Sequence, residues 1–338
     1  MTVARTTPKL SPAEAQPSAA EEPLHPRRHV LDLDDFTAIE IEAVLDSAEA
    51  LREVLGRQIR KVPTLRGRTI VSLFSEPSTR TRASFEQAGK VLSADVINVS
   101  GSESSATKGE SLVDTARTIE AIGADILILR HGMSGAPNLV ARNTTFSVIN
   151  AGDGWHAHPS QALLDLYSIR QRYGRLHGLK VVIVGDILHS RVARSNLWGL
   201  QTMGATVTLA GPPTLLPTEA IAAFDPSASG YLTIETDLDT AMEDADVVMA
   251  LRLQQERQDA GLLPSIREYV RYYQVNEERM KRAKPEAMVM HPGPMNEGVE
   301  ISHGLAHGAR SLVETQVTNG VAIRMALLYL LASAGSSQ

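Results

Sequence analysis

The sequence has no cysteine and no long hydrophobic run, and each absence excludes a class of protein. Without cysteine the chain has no disulfide, no thiolate nucleophile and no cysteine-ligated zinc. No run approaches the roughly 18 apolar residues of a membrane helix, and the N-terminal stretch lacks the apolar segment of a signal peptide. Positive charge is also in deficit: the net charge of -6 argues against nucleic acid as the main partner. We therefore expect a cytoplasmic protein with no membrane and no nucleic-acid partner.

The composition is that of a globular protein large enough for two domains. Its 338 residues exceed what one hydrophobic core usually organises, and 43% of them are hydrophobic and 21% charged. Several arginines lie in short polar stretches instead of being spread along helix faces. Such clusters in an acidic protein indicate small anionic ligands, although any one of these arginines taken singly is also typical of a solvated surface.

Alternating apolar patterns predict the fold. Residues 1–27 are rich in Pro, Ala, Ser, Thr and Glu without periodicity, which predicts a disordered tail. Buried-strand patterns alternate with helical ones and lie at 69–74, 95–99, 125–129, 146–150, 180–184, 206–210, 247–250 and 287–290. An apolar helix follows near 319–331. We predict an α/β protein with two tandem open parallel-sheet α/β domains and the active site in the cleft between them.

The segment Phe74–Arg82, F-S-E-P-S-T-R-T-R, has the features of a phosphate site. It follows a predicted strand and opens a predicted helix, so Ser78 or Thr79 can cap the helix while its first N–H groups point outward. The helix dipole adds partial positive charge there, and Arg80 adds a full one. Hydroxyls, amides and a guanidinium together predict a phosphate cradle that needs no Walker lysine.

This segment resembles the carbamoyl-phosphate signature F-x-E-x-S-T-R-T of the aspartate and ornithine carbamoyltransferases. Further matches to that family follow in the same order, over about residues 28–335. They are Leu129-Arg130-His131, Gly152-Asp153-Gly154, His158-Pro159-Ser160-Gln161, Gly185-Asp186 with Ser190-Arg191, His291-Pro292-Gly293-Pro294, Gln316, Asn319-Gly320 and Arg324-Met325-Ala326-Leu327. Glu297 departs from the pattern, because it stands where relatives often have arginine.

The resemblance implies transfer of a carbamoyl group from carbamoyl phosphate to an amino acid, with no metal and no cofactor. The implied carbamoyl-phosphate ligands are Ser78, Thr79, Arg80, Thr81, Arg130, His158, Gln161 and Ser104. Of these, Thr81, Arg130 and His158 would polarise the carbamoyl oxygen, and Gln161 would bind the carbamoyl NH₂. The implied catalytic residues are Arg80, Thr81, Arg130, His158 and Lys108.

The acceptor implied by the second half of the chain is L-aspartate. Its two carboxylates call for guanidinium partners, and Arg191 and Arg252 both follow predicted strands. The aspartate ligands implied by the resemblance are Lys108, Arg191, Arg252, Gln254, Gly293 and Pro294. Ornithine enzymes of the family typically carry H-P-C-Q and H-C-L-P, whereas this chain has Ser160 and no cysteine. Aspartate is therefore favoured over ornithine.

The family pattern also implies domain limits and an assembly. Residues 28–157 with 317–335 are expected to bind carbamoyl phosphate, and residues 158–316 to bind aspartate. The polar segment 102–109 alone is typical of a surface loop, but by resemblance Ser104 and Lys108 enter a neighbouring subunit's site, which implies a homotrimer with shared active sites. Ion pairs among Glu76, Arg191 and Arg257 are expected to join the domains. The sequence does not decide whether a dihydroorotase or a regulatory chain is a further partner.

Some motifs also suggest other classes of protein. The H-x-H pair His156 and His158 offers half of the ligands of a metal site, but no third ligand lies nearby, so a metal is disfavoured there. His303 and His307 have helical spacing without the glutamate of H-E-x-x-H, so for these two, surface or core histidines are favoured. The strand ending at Gly185 suggests a nicotinamide-dependent dehydrogenase but lacks G-x-G-x-x-G. Another amino-acid carbamoyltransferase and a non-catalytic carbamoyltransferase-like scaffold are the remaining alternatives.

Overall fold

A computed structural model describes residues 27–100, 110–217, 224, 230–254 and 265–334. Its strands are β1 Thr69–Phe74, β2 Asp95–Ser100, β3 Ile126–His131, β4 Ser147–Asp153, β5 Lys180–Val184, β6 Thr206–Ala210, β7 Leu232–Glu235, β8 Val247–Ala250 and β9 Met288–Met290. Its helices are α1 Ala38–Leu55, α2 Thr79–Val91, α3 Leu112–Ala121, α4 Ala136–Asn143, α5 Pro159–Tyr173, α6 Arg191–Thr202, α7 Leu238–Ala241, α8 Ile266–Tyr273, α9 His303–Ala306 and α10 Val313–Ala334.

The strands form two parallel sheets, as the alternating pattern predicts. The first has the order β2-β1-β3-β4 and the second the order β7-β6-β5-β8-β9, with every neighbouring pair parallel. In each sheet the chain starts on an inner strand, builds outward in one direction and then returns to the other side. The order therefore reverses between β1 and β3 and again between β5 and β8. Such reversal points open a crevice at the carboxyl ends of the strands.

Sequence features account for the starts of α1 and α2. Thr37 begins α1 with a capping box, since its side chain accepts from the Glu40 N–H and the Glu40 carboxylate accepts from the Thr37 N–H. Ser78 is the N-cap of α2, yet its hydroxyl makes no capping hydrogen bond to the helix. Its oxygen and the first N–H groups of α2 therefore remain available to a ligand.

The core joins the two sheets through helices. One cluster of buried apolar side chains runs from α1 and α2 through α5 and α10 to the inner strands of the second sheet. Leu163, Leu166 and Leu328 are almost completely buried in it. A separate cluster lies between the second sheet and the segment that contains Ile301 and Leu305. In the described part of the chain, no helix has both the length and the hydropathy to cross a bilayer.

The boundaries differ from the sequence predictions at several points. Arg27, the last residue of the predicted tail, pairs with Asp35 and Glu40 and lies over the Phe36 ring, because this arginine neutralises the acidic start of α1. The last helix begins at Val313 instead of near 319, because its first turns bury polar Gln316 and Asn319. Helix α5 and strand β7 were not predicted. The rest of the tail lies outside the described residues.

Candidate active site

A cleft of about 870 Å³ lies at the carboxyl ends of the strands of both sheets. Its lining includes Arg130, near the end of β3, and residues that follow β1, β5 and β8. These four are the strands at the two reversal points. Of the residues expected at the site, the cleft is lined by Ser78, Thr79, Arg80, Thr81, Arg130, His158, Gln161, Arg191, Arg252, Gln254, Gly293 and Pro294. Ser104, Lys108 and Arg257 lie outside the described residues. Segments distant in sequence thus converge on one place.

The first half of the cleft is a cationic pocket at the start of α2. Arg80 and Thr81 lie in the first turn, and Thr81 is buried. Arg130 is the next-to-last residue of β3 and lies beside the last residue of β1, because Phe74 and Arg130 are partners in the sheet register. Arg324 of α10 lies beneath them, buried, and donates to the Ser84 hydroxyl at 3.0 Å. Burial lowers the pKa of Arg324 to about 10, so it stays cationic at neutral pH.

His158 is held in this cationic pocket as a neutral imidazole. Its backbone N–H donates to the Ser195 hydroxyl at 2.9 Å, and that hydroxyl donates to buried Asp32 at 2.6 Å. Burial lowers the pKa of His158 well below its usual value, and the positive charges of Arg191, Arg130 and Arg324 lower it further. Its Nδ1 is buried and finds no hydrogen-bond partner among the described residues. A neutral ring of this kind suits hydrogen bonding to a bound ligand.

Glu76 links the two halves of the cleft. Both terminal nitrogens of Arg191 donate to its carboxylate at 3.1 Å, and Arg130 Nε lies 3.4 Å from the same oxygen. The expected contact between Glu76 and Arg191 is therefore present. Gly152 makes room for it: its φ is +116°, and an added Cβ would lie 3.0 Å from the Arg191 guanidinium carbon. A side chain at that position would push the arginines apart.

The second half of the cleft is formed by loops after β5, β8 and β9. His189 bonds Asp186 at 2.7 Å, and the Gln254 N–H approaches the other oxygen of Asp186 at 3.4 Å. The His291 Nδ1 accepts from the Gly293 N–H at 2.8 Å, which leaves Nε2–H to donate to buried Glu300 at 3.2 Å. These bonds fix the loop that presents Gly293 and Pro294 through a cis peptide bond.

Sequence reasoning missed a buried carboxylate under the first half-site. Asp165 Oδ1 accepts from Gln161 Nε2 at 2.9 Å and from Gln316 Nε2 at 2.8 Å, while Oδ2 accepts from Asn196 Nδ2 at 2.9 Å. The signal was present, because Asp165 is an ionisable residue within the apolar run 162–166. A charge buried in such a run needs partners, and here they come from three helices.

Known proteins share this fold. Residues 28–171 match the family model described as aspartate/ornithine carbamoyltransferase, carbamoyl-P binding domain. Residues 177–331 match its companion, the Asp/Orn binding domain. The chain belongs to the aspartate/ornithine carbamoyltransferase family, and it is accordingly a transferase. The nicotinamide-dependent dehydrogenase is thereby set aside.

The names of individual relatives give a more specific activity than the family description does. The chain is 62% identical to the aspartate carbamoyltransferase catalytic subunit of Roseiflexus castenholzii over 315 residues, covering 93% of this chain and 98% of that one. It is 54% identical to the corresponding subunit of Dehalococcoides mccartyi, covering 95% and 96%. Among solved structures, aspartate transcarbamoylase from Trypanosoma cruzi in complex with N-(phosphonacetyl)-L-aspartic acid matches with a TM-score of 0.82 at 30% identity, covering 90% and 95%. Ornithine carbamoyltransferase from Pyrococcus furiosus matches with a TM-score of 0.81 at 31% identity, covering 90% and 97%.

Proposed function

We propose that the protein transfers the carbamoyl group of carbamoyl phosphate to the amine of L-aspartate, giving N-carbamoyl-L-aspartate and phosphate for pyrimidine biosynthesis in the cytoplasm. The observation that carries the proposal is the convergence of a phosphate-type cradle after β1 and two arginine-bearing loops of the second sheet on one cleft. The high identity to aspartate carbamoyltransferase catalytic subunits over nearly the whole chain supports it.

The phosphate end of carbamoyl phosphate would bind at the start of α2. Ser78, Thr79 and Arg80 offer hydroxyls, N–H groups and a guanidinium at a helix N-terminus, where a dianion is most favoured. Thr81, Arg130 and His158 would donate to the carbamoyl oxygen. Gln161 would accept from the carbamoyl NH₂.

Aspartate would bind across the cleft between Arg191 and Arg252, with Gln254 beside them. Guanidinium groups match carboxylates in charge and geometry. The backbone carbonyls of Gly293 and Pro294 would orient the attacking amine. The positive charge of Arg252 suits the side-chain carboxylate of aspartate and not the side-chain ammonium of ornithine. The absence of cysteine is a further difference from the ornithine enzymes.

The reaction needs positioning and charge stabilisation more than a strong base. The amine lone pair forms the new C–N bond and gives a tetrahedral centre whose oxygen carries developing negative charge. Donors from Thr81, Arg130 and His158 would stabilise that oxygen. The C–O bond to phosphate then breaks, and the leaving phosphate takes the proton lost by the amine. No metal or organic cofactor enters these steps.

We propose that the working form is a homotrimer, in which Ser104 and Lys108 complete a neighbouring subunit's site. Residues 28–157 with 317–335 would form the carbamoyl-phosphate domain, and residues 158–316 the aspartate domain. A mixing experiment tests the shared site. Arg80→Ala and Lys108→Ala trimers, each inactive, should regain activity when dissociated and reassembled together, because each mixed trimer contains one site with neither substitution. No recovery in mixed trimers verified by mass would contradict the sharing.

The activity itself is tested by phosphate release from purified protein. Carbamoyl phosphate is supplied with either L-aspartate or L-ornithine, and the carbamoylated product is identified by mass. We expect turnover with aspartate and little with ornithine. Turnover with ornithine alone would favour the sister reaction, and none with any amino acid would favour a non-catalytic scaffold.

A further inference from the structure

Glu297, His303 and His307 form an exposed side-chain cluster outside the cleft, here called the His–Glu cluster. Their ligand atoms all lie within 4.8 Å of one another. Glu297 Oε2 is 2.5 Å from His303 Nδ1, and Glu297 Oε1 is 3.1 Å from His307 Nε2. Within the described ranges of the chain, this is the one group of three or more such side chains so placed. The glutamate missing from the helical H-x-x-x-H spacing is thus supplied from upstream.

We propose that the His–Glu cluster is a binding site for a divalent transition-metal ion, Zn²⁺ or Ni²⁺. Two imidazoles and one carboxylate are a donor set that Zn²⁺ favours, at about 2.0–2.2 Å per ligand. Ligands at that range around one ion lie roughly 3.3 Å apart, so only small side-chain rotations are needed. Water would fill the remaining coordination position on this exposed surface.

The backbone already holds the three residues in place. Glu297 is bridged to Ile301, and the Gly298 N–H donates to the Ile301 carbonyl at 2.8 Å. One turn of α9 sets His303 and His307 on the same side, and Ser302 caps that turn. Buried Ile301 and Leu305 anchor the turn in the core. A rigid backbone lowers the entropic cost of gathering ligands.

Charge at the cluster favours a cation. A glutamate is ionised at neutral pH, so Glu297 gives the cluster a negative charge. The loop just before the cluster carries Gly293 and Pro294 of the cleft, so a bound ion would restrain that part of the protein. Binding to the folded state alone raises the melting temperature.

The test is Zn²⁺ and Ni²⁺ binding by calorimetry to untagged, full-length protein in its natural assembly. We expect one ion per chain, a rise in melting temperature on addition of Zn²⁺, and no comparable binding of Mg²⁺, which prefers oxygen ligands. His303→Ala and His307→Ala should each weaken binding by roughly tenfold or more. The matched control is His177→Ala, because His177 is also exposed but lies outside the cluster.

Because these side chains are on the surface, the variants should fold, which their metal-free melting curves will verify. Equal affinity in wild type and His303→Ala would overturn the proposal. So would Zn²⁺ binding that His177→Ala weakens as much as His307→Ala does, or the absence of any binding to the wild type. None of these outcomes bears on carbamoyl transfer.

A second inference rests on the buried hydrogen bonds of Asp165, which are independent of the cluster above. The backbone N–H of His291 donates to Gln316 Oε1 at 3.0 Å, so the Gln316 amide must turn Nε2 toward Asp165. Asn196 Nδ2 also donates to the Val192 carbonyl, which fixes that amide too. Both oxygens of Asp165 therefore face donors and act as acceptors.

We infer that Asp165 is a positioning residue that makes the site selective for a carbamoyl group. Asp165 Oδ1 accepts from Gln161 Nε2, which leaves Gln161 Oε1 to face the cleft. An oxygen there accepts from the carbamoyl NH₂ but has nothing to accept from the methyl group of acetyl phosphate. This step rests on the proposed function.

Burial raises the pKa of Asp165 to about 7, and the three donated hydrogen bonds and the charge of Arg324 oppose that rise. Below that pH, a proton on the carboxyl turns one acceptor into a donor and conflicts with the surrounding amides. The preference for carbamoyl phosphate over acetyl phosphate should therefore fall as the pH falls through about 7. The ratio of the two affinities is used because a titration that affects binding of both phosphates equally cancels in it.

The variant that tests this inference is Asp165→Asn, which keeps the shape but replaces one acceptor by a donor. We expect the ratio of affinities for carbamoyl and acetyl phosphate to fall by roughly tenfold, with little change in inhibition by inorganic phosphate. Ser168→Ala, a buried substitution on the same helix, should keep the ratio. An unchanged ratio in folded Asp165→Asn would refute the inference; if that variant does not fold, a wild-type ratio independent of pH refutes it. Either result leaves wild-type turnover, and so the proposed function, standing.

Discussion

At Gly293 the two half-sites approach each other closely. The φ of Gly293 is +63°, and an added Cβ would overlap the guanidinium of Arg80. We predict that Gly293→Ala displaces Arg80 and raises the KM for carbamoyl phosphate, although Gly293 belongs to the opposite half of the cleft. Initial-rate kinetics with aspartate saturating will measure this.

Gly298→Ala is the matched control for that substitution. Gly298 also has a positive φ, +84°, but an added Cβ there meets nothing within 4 Å. Both variants carry a backbone strain of roughly 1–2 kcal/mol, so both should lose some stability. If Gly298→Ala raises the KM for carbamoyl phosphate as much as Gly293→Ala does, strain and not Arg80 is the cause.

His158 should remain neutral where an ordinary histidine is half protonated, at pH 6.5. Because its folded pKa lies below its unfolded value, protons favour the unfolded state. The contribution of His158 to stability is therefore present above pH 6.5 and is lost as the pH falls toward the folded pKa. Imidazole ¹⁵N shifts, assigned with His158→Gln, will report its state. A His158 signal that titrates near 6.5 contradicts the account of the cationic pocket.

The site residues that could be predicted from the sequence are those at or just after the carboxyl end of a strand. Arg80 and Arg252 follow buried strands and Arg130 lies near the end of one, and parallel strands present such residues at one edge. Asp165 and Glu300 were not predicted as parts of the site; two of the three side chains that donate to Asp165, Gln316 and Asn196, lie on other helices. When hydrogen-bond donors come from helices distant in sequence, the only sign of a buried carboxylate in the sequence is that it interrupts an apolar run.

Among the elements, the loop after β1 and the start of α6 are tied by Glu76. Its carboxylate neutralises Arg191 and lies beside Arg130. We predict that Glu76→Ala weakens the use of aspartate, because Arg191 loses the partner that orients it. Carbamoyl phosphate binding should not weaken, since removing a negative charge beside Arg130 does not reduce its attraction for phosphate.

Steady-state KM values for aspartate and calorimetric binding of carbamoyl phosphate separate the two effects of Glu76→Ala. Glu86→Ala is a suitable control, because Glu86 also carries a carboxylate in the first domain but pairs with Lys90 outside the cleft. Comparable losses for both substrates in Glu76→Ala would show that the ion pair supports the whole site and not the aspartate half.

Whether a segment forms a helix or a strand was largely predictable from the sequence, but the residues at which the elements begin and end were less so. Buried parallel strands such as β1 and β5 are continuous apolar runs bounded by polar turns, which makes them easy to find. Helix α5 was missed because it is buried nearly all round over 159–169 and shows no clear amphipathic period. Strand β7 lies at a sheet edge, where only Leu232 is buried.

For the whole molecule, two sheets and a cleft between them follow from the alternation of strands and helices. The order of the strands in each sheet does not follow from it, because several strand orders fit the same alternation and obey the rules for connections between strands. What brings the halves together is packing: α5 and α10 bury apolar side chains against both sheets. The sequence shows these helices as apolar but not which surfaces they join.

Two half-sites on two sheets share one cleft, and the most direct test measures the contribution of each half-site separately. Binding of carbamoyl phosphate is measured by calorimetry, and the KM for aspartate by initial rates, in Arg80→Ala, Arg252→Ala and the control Arg82→Ala, an exposed position outside the cleft. Arg80→Ala should weaken carbamoyl phosphate binding by roughly 10- to 100-fold. Arg252→Ala should raise the KM for aspartate by a similar factor and change carbamoyl phosphate binding by less than about twofold. Equal weakening of carbamoyl phosphate binding in Arg80→Ala and Arg252→Ala would contradict the account.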